Sequence, residues 1–243
     1  MDLLPSEILN EILLQVDRPS ILSASRVCHR WQSFALEQVV PIRSFFEFEE
    51  VCQRGDSLSL NKSKFVKDWV DYGLDCACEG GQLDLVKLMI EKGATDWNGG
   101  LQYACLGGQL DLAKFMIEKG ADSWNRGLHC TCLGGHLDLA KLMIEKGATD
   151  WNGGLSNACR CGHLDLATFM VETGAFDLNE GLSDACQGGH LDLVEFMIEK
   201  GADDWNRGLY NACSGRQLDL VKFMIEKGAT NCLCGKSLKK HLS

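Results

Sequence analysis

From Gly73 to Thr230 the chain writes one pattern six times, with small variations. The pattern is Gly-Leu-x-x-Ala-Cys-x-Gly-Gly-His/Gln-Leu-Asp-Leu-x-x-Leu/Phe-Met-Ile-Glu-Lys-Gly-Ala, starting at Gly73, Gly100, Gly127, Gly154, Gly181 and Gly208. Each start lies 27 residues after the last. A period of this length marks a solenoid, in which one supersecondary unit stacks on its neighbours because it cannot bury its apolar face alone. Stacked repeats build a continuous surface rather than a closed pocket, so binding is the expected activity.

Residues 94–120 serve to read one unit. Leu101, Ala104 and Cys105 follow one another at i, i+3 and i+4, on one face of a helix. Asn98, with its counterparts Asn125, Asn152, Asn179 and Asn206, is positioned to cap that helix at its start. Gly107 and Gly108 end it, and a second helix begins near Leu110, with Asp111 in its first turn and Lys119 before Gly120 at its close. Leu112, Ala113, Phe115, Met116 and Ile117 cover most of the second helix's circumference, which predicts burial between neighbours. Only Ala94, Thr95, Asp96 and Trp97 link one unit to the next, too few for a β-hairpin, and Trp97, Trp124, Trp151 and Trp205 are expected to plug the junctions.

This unit resembles the ankyrin repeat, most closely over residues 181–203, Gly-Leu-Ser-Asp-Ala-Cys-Gln-Gly-Gly-His-Leu-Asp-Leu-Val-Glu-Phe-Met-Ile-Glu-Lys-Gly-Ala-Asp. The departure is length: an ankyrin repeat runs about 33 residues, and the missing ones are those of its hairpin finger. Short repeats of this kind resemble the ankyrin arrays of giant DNA viruses. The expected organisation is an all-α, shortened ankyrin-like solenoid over 73–230, preceded by a linker and degenerate capping repeat at 41–72 and followed by a cap and basic tail at 231–243.

Charge and cysteines narrow the function. The repeats hold 23 acidic and 13 basic side chains, which accounts for the whole net charge of −10 and leaves no basic stripe for a phosphate backbone. Nucleic acid is therefore not an expected partner. No apolar run is long enough to span a bilayer, and Glu7, Glu11 and Asp17 interrupt the start of the chain, unlike a signal peptide. A cytoplasmic or nuclear, reducing setting follows as an expectation. Six of the 13 cysteines (Cys78, Cys105, Cys132, Cys159, Cys186, Cys213) share one repeat position and read as small core residues rather than disulfides. His136, His163 and His190 recur likewise, but Gln82, Gln109 and Gln217 fill that place elsewhere, so a hydrogen bond suits them better than a metal. No cofactor, metal site or catalytic residue is expected.

The first forty residues stand apart. Ile8, Leu9, Ile12 and Leu13 form the apolar face of an amphipathic helix that Pro5 can open, and Val27-Cys28-x-x-Trp31 follows a second short segment. Three short helices cannot bury that surface among themselves. The spacing Leu4-Pro5-x-Glu7-Ile8-Leu9, Ile12-Leu13 and Val27-Cys28-x-x-Trp31 resembles an F-box, here residues 1–40. That resemblance implies docking on a Skp1-like adaptor, and through it a cullin, by Leu4, Pro5, Ile8, Leu9, Ile12, Leu13, Val27, Cys28 and Trp31. It also implies that the second domain recruits a target for ubiquitin transfer.

Positions that vary between copies define the candidate target surface: Gln102, Tyr103, Leu106, His129, Cys130, Leu133, Asn157, Arg160, Asp184, Tyr210 and Asn211, all expected to face away from the core. Tyr103, Leu106, Cys130 and Leu133 form a candidate apolar anchor. Three functions remain open at this point: substrate receptor of a ubiquitin ligase, a non-catalytic scaffold whose first helices only cap the array, and a decoy that binds the adaptor without a target.

Overall fold

The computed structural model describes residues 70–230. Segment 1–40 with Leu4, Pro5, Ile8, Leu9, Ile12, Leu13, Val27, Cys28 and Trp31 lies outside the described residues, as do all but the last three residues of segment 41–72 and the tail 231–243.

Among the described residues there are twelve helices and no strand. They are α1 Val70–Glu79, α2 Leu83–Glu91, α3 Trp97–Leu106, α4 Leu110–Lys119, α5 Trp124–Gly134 and α6 Leu137–Lys146, then α7 Trp151–Cys161, α8 Leu164–Thr173, α9 Leu178–Gly188, α10 Leu191–Lys200, α11 Trp205–Ser214 and α12 Leu218–Glu226. Contacts divide the chain into two units, 1–77 with 84–94, and 78–83 with 95–243. In the first, Leu74, Ala77, Leu85, Val86 and Met89 are buried along α1 and α2.

The second unit is a stack of helix pairs. The first helices α3, α5, α7, α9 and α11 pack side by side in chain order, and each also packs on the second helix of its own pair. Contacts between successive second helices are far sparser. Leu101, Ala104 and Cys105 are buried between the layers with Leu112, Ala113 and Met116, and the equivalent positions are buried in the other pairs, Cys213 excepted. The recurring Gly of Gly-Leu lets neighbouring pairs close up: a Cβ on Gly127 would lie 2.5 Å from Met143 Sδ and 3.5 Å from Cys105 Sγ. Each core thiol is thus covered by the glycine one repeat on. Cys213 is only half-buried, and among the described residues no further first helix follows α11 to cover it.

Three expectations change in detail. Asn98 and its counterparts do not cap their own helices. The caps come earlier, where Asp96, Asp150, Asp177 and Asp204 accept from Gly99, Gly153, Glu180 and Arg207 N–H at 2.8, 3.0, 3.4 and 3.0 Å. The asparagines sit inside the first turn, and their Oδ1 atoms reach the following linker instead. Asn152 accepts from Phe176 and Asp177 N–H at 2.9 and 3.1 Å, and Asn98, Asn125 and Asn179 repeat the pair of bonds one linker at a time.

The second helices also differ from the expected all-round burial: Phe115 and Ile117 are half-buried, because these helices form an outer layer with loose lateral contacts. Lysines cover part of that apolar surface, with Lys119 Nζ 5.2 Å above the Phe115 ring and Lys200 Nζ 5.3 Å above Phe196. The tryptophans, finally, are half-buried rather than sealed plugs, and Trp151 donates its indole N–H to Ala148 O at 3.2 Å.

Candidate protein-interaction surface

One face of each first helix is left uncovered by the core, and the varying positions fall on it. On α3 and α5 that face is apolar. Tyr103 is 38% exposed and Leu133 40%, with Leu106 and Cys130 half-buried beside them. Gln102 is half-buried and donates to Asn98 O at 3.0 Å, within its own helix. Burial pushes the Cys130 thiol up, with Arg126 pulling weakly the other way, so it is a neutral, small contact surface. His129 is tied down: its Nε2 lies 2.8 Å from Asp150 Oδ2, on the cap of α7. A carboxylate can only accept, which puts the proton on Nε2.

The polar half of the surface, on α7, α9 and α11, satisfies itself. Asp184 differs from the expectation of a solvent-facing residue, being 3% exposed. Its carboxylate is met by Arg160, Nη2 at 2.6 Å and Nε at 3.1 Å, and by the Ser156 hydroxyl at 2.5 Å. A buried carboxylate needs such company, since an unpaired one would be costly. Asp184 in turn raises the pKa of the exposed Arg160 through hydrogen bond and charge. Ser183 is equally buried and accepts from Asn211 Nδ2 at 2.5 Å, while Arg207 pairs with Glu180. Tyr210, 41% exposed, overlooks a polar cleft of about 440 Å³ between Arg160, Glu180, Asp184, Arg207 and Asn211. Asn157 is half-buried on α7. Arg160 and Asp184 stand one repeat apart, so repeat-by-repeat reading treats them as separate surface residues when they are partners.

The recurring histidines make an inter-repeat bond. His136, His163 and His190 bring Nε2 to Leu106, Leu133 and Arg160 O at 3.1, 3.2 and 3.1 Å, and Gln109 Nε2 reaches Glu79 O at 3.3 Å. A ring N–H and an amide N–H do one job, which is why the two residue types interchange. Among the described residues no group of three or more His, Cys, Asp and Glu could hold a metal ion, and no helix is long and apolar enough to cross a membrane.

Reading by repeats missed Phe176, the most exposed large hydrophobic among the described residues at 79%. The signal was there: Thr95, Asp122, Thr149, Asp203 and Thr230 hold that position in the other linkers, and Leu178 replaces the usual tryptophan two residues on.

Taken together, the fold and this surface define an ankyrin-type helical stack suited to protein–protein interaction. Comparison with known families agrees and adds the N-terminal part. The F-box domain family matches residues 1–42, and the ankyrin repeats (many copies) family matches residues 74–117 and 182–225. An F-box domain and ankyrin repeats are therefore both present, an architecture typical of non-catalytic adaptor or interaction proteins. Among solved structures the chain is similar to the crystal structure of the human ASB11 ankyrin repeat domain. The TM-score is 0.52 at 23% identity, over 68% of this chain and 88% of that one, a likeness of fold. No curated protein matches the chain.

Proposed function

We propose that the chain is the substrate-recognition adaptor of a Skp1–cullin–F-box type ubiquitin ligase, with the F-box docking a Skp1-like protein and the repeat surface holding a target. The observation that carries this reading is the union, in one chain, of an F-box match at 1–42 with a helical stack whose uncovered face offers exposed Tyr103, Leu133 and Tyr210. The adaptor does no chemistry of its own. Holding the target beside the ligase raises its effective concentration there, which speeds transfer without a new catalytic group.

Leu4, Pro5, Ile8, Leu9, Ile12, Leu13, Val27, Cys28 and Trp31 are the residues proposed to meet the adaptor. Gln102, Tyr103, Leu106, Cys130, Leu133 and Tyr210 are proposed to meet the target. His129, Asn157, Arg160, Asp184 and Asn211 belong to the same proposed surface, the tethered ones among them shaping it more than reaching out from it. A reducing compartment, cytoplasm or nucleus, fits the free thiols, and the short repeats extend the proposal to a viral protein acting on host targets.

The test is the affinity of the purified full chain for Skp1, beside a Pro5→Ala/Leu9→Ala/Trp31→Ala variant shown to be folded by circular dichroism. Sub-micromolar binding is expected for the natural chain. Hot-spot side chains are worth about 2 kcal/mol each, so the triple variant should lose at least about 100-fold. Absence of binding by the natural chain would overturn the adaptor reading in favour of a scaffold.

A further inference from the structure

We infer that Phe176 and the linker carboxylates around it dock a basic segment of a partner protein, with an arginine or lysine side chain lying on the phenyl ring. The inference rests on reading the repeat array as a protein-binding surface, and it assigns part of that binding to the linker edge instead of the helix face.

The fold does not ask for an aromatic ring at this position. What the linker needs there is a backbone N–H for the preceding asparagine, and Phe176 supplies it to Asn152 Oδ1 at 2.9 Å, as Asp203 supplies it to Asn179 at 2.9 Å. Any residue but proline can do this, and five of the six copies use Thr or Asp. The Phe176 ring is 79% exposed, so it is not filling the space left by the missing tryptophan at Leu178. An exposed phenyl group held on a hydrogen-bonded linker forgoes the favourable burial that a core position would give. Such a ring is energetically productive only when something covers it.

Charge says what covers it. Residues 162–230 carry 12 acidic and 5 basic side chains, against 7 and 6 in residues 95–161, so the surplus is concentrated around this linker and those after it. Asp177, Asp203 and Asp204 are exposed. Their hydrogen bonds go to the Glu180 N–H, the Asn179 amide and the Arg207 N–H, at 3.4, 3.3 and 3.0 Å. Those neutral donors orient the carboxylates without cancelling their charge. The guanidinium groups on either side in sequence are already engaged, Arg160 with Asp184 and Arg207 with Glu180. An acidic or phosphorylated segment, or a nucleic acid, would be repelled. A cationic segment gains the face of the ring together with the carboxylates of the same linker and the next.

The experiment selects displayed random peptides of about twelve residues on the immobilised full chain, then measures the enriched peptides against two variants. Phe176→Thr installs the residue that three other linkers already carry at this position, so the fold is kept. Leu133→Ser changes the apolar helix face instead. The expected result is enrichment of Arg- and Lys-bearing peptides whose affinity falls about tenfold in Phe176→Thr, falls again as salt is raised, and holds in Leu133→Ser. Peptides that bind Phe176→Thr as well as the natural chain overturn the inference. If those same peptides are lost in Leu133→Ser, the array's role as a binding surface stands. Failure to enrich any peptide counts against both, while Skp1 affinity, measured separately, judges the F-box half alone.

Discussion

The side chains that organise this molecule act one repeat away from where they are written. Asn179 is the plainest instance: from the first turn of α9 its Oδ1 accepts Asp203 and Asp204 N–H at 2.9 and 3.0 Å, pinning the linker that leads into α11. Those two N–H groups precede a helix and have no partner of their own within it. The linker is exposed, so water can replace part of the loss when the amide is removed. Asn179→Ala should therefore lower stability by about 1 kcal/mol, at the lower end of the range for an unsatisfied donor. Urea denaturation of the full chain checks it, and an unchanged midpoint would mean the ladder is decorative. The Arg160–Asp184–Ser156 cluster follows the same logic across repeats, and its legibility was poor for that reason. Arg160 and Asp184 both look like variable surface positions until the stack brings them to 2.6 Å.

At the scale of the helix, spacing between first helices is set by backbone meeting backbone. Gly134 closes α5, and a Cβ built there would lie 2.3 Å from Leu106 O on α3. A backbone carbonyl closing the last turn of α3, already bonded to His136, cannot step aside as a side-chain tip can. Glycine to alanine in a helix ordinarily gains about 1 kcal/mol. Here the sign should reverse, with Gly134→Ala costing about 1–3 kcal/mol by forcing α3 and α5 apart. Thermal unfolding reads this directly, and a raised Tm would refute the close contact. The glycine pairs were legible as helix ends from sequence alone. Their second role, as the contact surface between neighbouring first helices, was not, because it depends on how two helices 27 residues apart are set side by side.

Across the whole array the buried thiols give the core a common response to alkali. Burial pushes Cys105, Cys132, Cys159 and Cys186 up to about 12 from an ordinary value near 9. Between those values the folded chain keeps protons that the unfolded chain gives up. Stability contributed by these groups is thus intact below pH 9 and is lost as pH rises toward 12. Urea midpoints should hold steady up to about pH 9 and then fall, and Cys132→Ala should flatten the fall by one thiol's share. The exposed Cys161 should react with an alkylating agent at pH 8 while these four stay protected in the native state. Equal labelling of all five would contradict the packing.

The sequence by itself determined the class of fold. A 27-residue period, the Leu, Ala and Cys stripe on each first helix and linkers too short for a hairpin leave little besides stacked helix pairs. It also located the variable face on which Tyr103 and Leu133 stand exposed, because positions that stacking does not dictate are free to differ between copies. Periodicity can do this since each repeat meets nearly the same neighbours as the one before. Only the tertiary structure decided which of those free positions are open and which are spent. Asp184 was taken out of solvent by an arginine from the preceding repeat, Asn98 and its counterparts were turned from caps into staples, and Phe176 was left bare on its linker. Each of these outcomes depends on atoms about 24 residues or more apart, or on the lack of any packing partner, and such pairings follow from the register of the stack rather than from any one stretch of chain.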